Sequence, residues 1–171
     1  MDSQYIGLLK VAVIRGTNLV ATNFMNNSTD PYVVVSLGNQ TVKTRTVKRN
    51  LNPEWDDELT VGVPSPTAQL KVEVMDKDIF SKDEFLGEAI VDLEPFVTIA
   101  RKFHVETMSN NMRDHKKVKE IGRVLTSQHS ELVKDSPIFY KGGKIQQKLH
   151  LKLNDIKSGE IEIEFTWVHI N

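Results

Sequence analysis

Apolar and polar residues alternate with a period of two along much of this chain. Leu9, Val11 and Val13 alternate with Lys10 and Ala12, Leu70, Val72 and Val74 with Lys71 and Glu73, and Leu149, Leu151 and Leu153 with His150 and Lys152. The cleanest run sets Ile161, Ile163, Phe165 and Trp167 on one face and Glu160, Glu162, Glu164 and Thr166 on the other. One apolar and one polar face per segment predicts half-buried antiparallel strands. Tyr32 to Leu37 is continuously apolar and β-branched until Ser36, which predicts a more buried, central strand. Turn signals separate the runs at Asp30-Pro31, Gly38-Asn39, Asn52-Pro53, Pro64-Ser65-Pro66 and Ser158-Gly159. Short strands joined by polar turns predict an all-β, antiparallel β-sandwich. Two segments depart from the pattern. Glu94 to Lys102 predicts one or two helical turns, with Pro95 near the start where its missing N–H costs least. Residues 103 to about 145 lack clear periodicity and make an unusually long connection, which usually marks a functional insertion.

A length of 171 residues suffices for one domain with a sizeable core, and residues 1–171 are expected to form it. Hydrophobic content of 39% and charged content of 26% fall in the range of soluble globular proteins. The absence of cysteine excludes disulfides and thiolate zinc sites, and favours a reducing compartment. No apolar run approaches the roughly 18 residues that span a bilayer. The N-terminus lacks the basic and apolar regions of a signal peptide, and Asp2 breaks the myristoylation pattern. A net charge of −1 conceals a partition: 9 Lys+Arg against 14 Asp+Glu in residues 1–100, and 13 against 6 in residues 101–157. The basic segment is either a solvated face or a docking surface for an anionic membrane or partner.

The candidate chemistry lies in loops. Asp76-Lys77-Asp78 ends one alternating run, and Asp30 precedes Pro31. Hard oxygen ligands on loops suit Ca²⁺, which takes six to eight oxygens in irregular geometry. Phe24 and Met25 neighbour the first acid site and Ile79 and Phe80 the second, where a soluble protein gains nothing by exposing them. Acids flanked by apolar loop tips suggest a metal-bridged landing on lipid. The bland alternative also stands: Asp and Asn are ordinary turn residues, and the apolar tips can pack against one another. Arg113, Lys116, Lys117, Lys119 and Arg123 form the densest basic stretch. It lacks interleaved stacking aromatics, so nucleic acid is not an expected partner. No Gly-rich phosphate loop, nucleophile elbow or His-Glu-x-x-His occurs, and the five histidines have no metal-ligand spacing, so an enzyme is not expected.

Seven ordered blocks resemble the signature of a C2 domain: Gly7-Leu8-Leu9-Lys10-Val11, Gly16-Thr17-Asn18-Leu19, Ser28-Thr29-Asp30-Pro31-Tyr32-Val33, Lys43-Thr44-Arg45-Thr46, Asn50-Leu51-Asn52-Pro53-Glu54-Trp55, Asp76-Lys77-Asp78 and Phe85-Leu86-Gly87-Glu88. With the insertion and the ending from Lys144 to Trp167, the chain is similar to small single-C2 plant proteins of the abscisic-acid-related family, and to the C2 module of plant Arf-GTPase-activating proteins. The resemblance implies an eight-stranded sandwich of the second C2 topology. It implies calcium as cofactor, bound by Asn23, Asp30, Asp76, Asp78 and Glu84 with Asp83 adjacent; Asn23 and Glu84 depart from the usual aspartates. It implies acidic-phospholipid binding, with Lys43, Arg45, Lys48 and Arg49 on headgroups and Phe24, Met25, Ile79 and Phe80 inserted. It also implies recruitment of a partner, such as a soluble hormone receptor or a GTPase, through the insertion. The expected location is cytoplasmic and peripheral at the plasma membrane, with the nucleus kept open. The alternatives from other classes are loops that bind no calcium, and a calcium-insensitive interaction module or GTPase activator acting through residues 103–145.

Overall fold

The alternating runs fold as the strands they predict. The computed structural model describes residues 4–21, 29–110, 117–154 and 159–170. In chain order these hold β1 (Gly7–Thr17), β2 (Pro31–Leu37), β3 (Gln40–Lys43), β4 (Glu54–Val63), β5 (Gln69–Asp76), β6 (Glu84–Asp92), α1 (Glu94–Asn110), β7 (Val118–Val124), β8 (Ser136–Lys141), β9 (Lys144–Lys152) and β10 (Glu160–His169). Two antiparallel sheets form, ordered β4-β1-β10-β9-β8-β7 and β3-β2-β5-β6. Leu9, Val11 and Val13 of β1, Leu70, Val72 and Val74 of β5, and Ile161, Ile163 and Phe165 of β10 are all buried in one continuous core. β2 is central, paired with β3 on one side and β5 on the other, as its apolar run predicts.

The insertion is more regular than its sequence suggests. The helix runs to Asn110, eight residues beyond the expected end, so the first part of the 103–145 segment is helical. It starts where the Asp92 carboxylate accepts the Glu94 N–H at 3.0 Å. Its buried face is Phe96, Val97 and Ala100, and the Phe96 ring meets Phe165 at 5.5 Å. The rest supplies β7 and β8, which extend the larger sheet, so the described residues contain ten strands where the resemblance implies eight. β8 and β9 are joined by Gly142 and Gly143, both at positive φ (58° and 82°). That is the backbone a two-residue hairpin needs, and only glycine adopts it twice without strain. Among the described residues, no helix is long and apolar enough to cross a membrane.

Both tryptophans are buried. Trp55 ties the sheets together: it lies on β4 and its indole N–H donates to the Pro31 carbonyl of β2 at 3.0 Å. The segment before it is stitched by Leu19 N–H to Leu51 O (2.9 Å), Asn50 N–H to Thr29 O (3.0 Å) and Asn18 N–H to the Asn52 side chain (2.8 Å). The Asn50-to-Trp55 block is thus a scaffold that fixes where β2 begins.

Candidate functional site

Strand register decides which acids meet. Pro31 pairs with Asp76 across β2 and β5, and Asp76 pairs with Glu84 across β5 and β6. Asp30, Asp76 and Glu84 therefore line one end of the four-stranded sheet. The Asp30 N–H donates to Asp76 Oδ1 at 2.8 Å, and the Lys77 N–H returns to the Asp30 carbonyl at 2.9 Å. Asp30 Oδ1 also accepts the N–H of Arg49 at 2.7 Å. The row is thereby braced against both neighbouring loops.

Asp78 and Asp83 lie in the loop between β5 and β6. Asp78 Oδ1 accepts the N–H groups of Phe80 (2.9 Å) and Ser81 (3.2 Å), and its Oδ2 accepts the Ser81 hydroxyl (2.7 Å). These bonds, led by that of the Ser81 hydroxyl, hold its carboxyl below the usual carboxylate range. They also fix the tip: Ile79 and Phe80 keep 84% and 95% of their surface in water. Asp83 accepts the Asp78 N–H at 2.9 Å and the Tyr32 hydroxyl at 2.5 Å, with the Lys77 ammonium 3.8 Å away. The Asp78 N–H first, and then Tyr32, keep the Asp83 carboxyl below its ordinary value. Burial, followed by the adjacent Asp83 carboxylate, pushes the Tyr32 phenol up to about 12.

The basic residues fall into separate settings. Lys43 ends β3 with its ammonium 5.9 Å from the Tyr32 ring centre, within cation–π range and beside Asp83. Arg45 follows β3; its Nε donates to the Trp55 carbonyl at 3.1 Å and its backbone N–H to Asp57 at 2.8 Å. Lys48 and Arg49 are exposed on the next turn, Arg49 with φ 52°. Lys117 and Lys119 are exposed at the start of β7, and Arg123 bonds Glu120 within that strand. Asn23, Phe24, Met25, Arg113 and Lys116 lie outside the described residues.

The donor set is oxygen-only and charged, which suits a hard divalent cation. Among the described residues, however, no group of three or more acidic or histidine side chains is arranged to hold an ion. The carboxylates of Asp78 and Asp83 are spent on N–H and hydroxyl donors, most of them from the loop itself. Sequence patterning could not show that Tyr32 belongs to this site, because its link to Asp83 spans 51 residues.

A two-sheet antiparallel sandwich with loop acids at one end of a sheet and an exposed apolar tip beside them is the architecture of a C2-type β-module. The chain belongs to the C2 domain family, which it matches over residues 7–110. It is 39% identical to Protein C2-DOMAIN ABA-RELATED 8 of Arabidopsis thaliana, covering 96% of this chain and 94% of that one. It is 38% identical to GTPase activating protein 1 of Oryza sativa subsp. indica, covering 99% and 96%. ADP-ribosylation factor GTPase-activating protein AGD12 of Arabidopsis thaliana is 40% identical over 96% of this chain, which spans only 46% of that protein. In fold, a single C2 domain of plant Extended Synaptotagmin 1 superposes with a TM-score of 0.60 at 20% identity, covering 99% of each chain. The calcium-bound pair of C2 domains from Extended-Synaptotagmin 2 matches with a TM-score of 0.59 at 20% identity, over 96% of this chain and 46% of theirs.

Proposed function

We propose that residues 1–171 act as one C2 module that binds acidic phospholipid in a calcium-dependent way and brings a protein partner to the membrane, without catalysis of its own. The observation that carries this reading is the juxtaposition at one end of the smaller sheet: a row of carboxylates, and beside it the tip whose Ile79 and Phe80 stand almost wholly in water. Two large apolar side chains held out by hydrogen bonds to Asp78 gain nothing from water and stand to gain from an acyl layer. Asp30, Asp76, Asp78 and Glu84 are the residues we assign to calcium, with Asn23 as a further oxygen donor. Bound calcium supplies positive charge that removes the repulsion between these acids and anionic lipid, and it leaves coordination positions for phosphate. Lys43, Arg45, Lys48 and Arg49 face headgroups in this reading, each adding on the order of 1 kcal/mol near an anionic surface. The relatives' printed names point the partner search toward abscisic-acid signalling and small GTPases. The working location is cytoplasmic and peripheral at the plasma membrane, with the nucleus kept open.

A second reading, a calcium-insensitive interaction module acting through the segment from α1 to β8, is favoured by one observation: Asp78 and Asp83 already satisfy their carboxylates internally. Sedimentation with phosphatidylserine vesicles separates the two. Pelleting in calcium and not in chelator is the expected result. Equal pelleting in both shifts the weight to the basic surfaces, and no pelleting leaves the second reading.

A further inference from the structure

The strand edges of this sandwich are not treated alike. Along β4, the Gln40 amide clamps the Gly62 backbone, donating to its carbonyl and accepting its N–H, both at 2.7 Å. Farther along the same edge, Arg45 donates to the Trp55 carbonyl. The edge of β6 is closed by Glu88 and Asn154, which exchange backbone N–H···O bonds of 3.3 and 2.7 Å. β3 has four residues and lies against β4. β7 differs. Among the described residues it pairs with β8 alone, and its other edge meets no backbone or side-chain partner. An open edge is a template for another strand, and proteins normally cover or disrupt one they do not use.

β7 does carry a bulge, between Glu120 and Gly122. Its use is visible on the face of the sheet: a Cβ at Gly122 would lie 2.4 Å from Ile99 Cδ1, so the irregularity seats α1. Among the described residues nothing pairs with the edge itself, and its side chains are chemically biased. Lys117, Lys119 and Arg123 are exposed, and the one acid among them, Glu120, bonds Arg123. Between the lysines, Val118 leaves 61% of its surface in water. Arg101 and Lys102 of α1, the helix seated on β7, are exposed as well.

We propose that β7 is a docking edge for an extended acidic segment of a partner protein, which adds to the larger sheet as its seventh strand. Backbone groups supply the ladder, Lys117 and Lys119 pair with the segment's carboxylates, and Val118 covers one apolar side chain between them. A second copy of this chain is disfavoured, because β7 paired with its own copy would set basic residues such as Lys119 and Arg123 against one another. An anionic bilayer matches the charge but offers no backbone ladder. The proposal deepens the partner-recruiting part of the function given above and rests on it. The acid row lies on the other sheet, so a strand can add here without displacing the calcium-loop residues.

The test is amide hydrogen exchange of the full chain, without calcium or lipid, on adding a synthetic peptide that alternates Glu and Val. The expected result is that amides of β7 slow by about tenfold or more. The matching Lys-Val peptide has no such effect, and the Lys117→Glu, Lys119→Glu variant loses the response to the acidic peptide. Unchanged β7 amides up to the solubility limit of the peptide overturn the proposal. Slowing confined to α1 or β8 also overturns edge pairing but keeps the insertion as a docking surface. Silence throughout residues 94–152 sinks both. If phosphatidylserine vesicles slow the β7 amides and the peptide does not, the edge is a membrane contact and the proposal fails.

Discussion

Replacing Ile79 and Phe80 together by serine separates the lipid reading from every explanation in which the tip is only a loop. In the free protein these side chains are 84% and 95% exposed, so their removal takes almost no contact from the fold. Surface changes of this kind stay within about 0.5 kcal/mol of stability, and the melting temperature should hold. On a membrane the outcome differs. Full burial of each side chain contributes about 1.5–3 kcal/mol, so insertion to half depth leaves about 1.5–3 kcal/mol for the pair. At about 1.4 kcal/mol per factor of ten, the variant should bind phosphatidylserine vesicles roughly 10- to 150-fold more weakly at fixed calcium. Val105 is the control, because it is 64% exposed on α1 and has no place in the proposed landing. Val105→Ser should bind as the unaltered protein does. The reasoning is refuted if the tip variant keeps its vesicle affinity, or if Val105→Ser loses as much. A drop in melting temperature would show instead that the tip packs in solution.

The remaining expectations concern the acids, one histidine and one close approach. Asp76→Asn with Asp78→Asn should bring vesicle sedimentation in calcium down to the level seen in chelator. Folding should change little, since each amide oxygen can still accept the N–H of Asp30 or Phe80. Tyr32→Phe removes the hydroxyl that Asp83 accepts, so an NMR titration should find the Asp83 carboxyl closer to its ordinary value of 3.8. Because the folded value is depressed, that hydrogen bond stabilises the protein above the ordinary carboxylate pKa. The advantage over Tyr32→Phe should therefore fade as pH falls through the folded value. Burial, with Lys134 and Lys148 nearby, depresses His150 below its usual 6.5 against the pull of Glu162 and Glu160. The unfolded chain then takes up the proton first, so urea stability should decline as pH drops below 6.5, and His150→Gln should flatten that part of the profile. Gly122→Ala forces a methyl against Ile99 and should cost about 1–3 kcal/mol in urea denaturation, unless Ile99 can rotate away.

How much of the fold and site is legible in the chain differs from element to element. The runs that form β1, β5, β9 and β10 can be read because a half-buried strand writes its two faces into alternate residues. β7 cannot be read that way: its burial runs exposed, exposed, exposed, then half-buried, since it is an edge strand touched mainly by α1 and β8. A local signal for β8 is nevertheless present. Gly142-Gly143 between Phe139-Tyr140-Lys141 and Lys144-Ile145 is a two-residue hairpin turn, and it argues for a shorter irregular segment than 103–145. The start of the helix is legible, where Pro95 and the acidic first turn mark it. Beyond Lys102, none of the five side chains from Phe103 to Thr107 is fully buried, so this stretch writes little periodicity into the sequence.

By itself the sequence determined the sandwich, the central place of β2, and the loops that bear Asp30, Asp76, Asp78, Ile79 and Phe80. Those are consequences of period, turn chemistry and residue order, all properties of neighbours along the chain. Only the tertiary structure decided that β1 lies between β10 and β4, and that Asp30, Asp76 and Glu84 form one row. It alone decided that Tyr32 claims Asp83 and that β7, among the described residues, pairs with β8 alone. Each depends on register between segments tens of residues apart. A one-residue slip in any of those pairings preserves every local pattern and yet moves each carboxylate to a different partner.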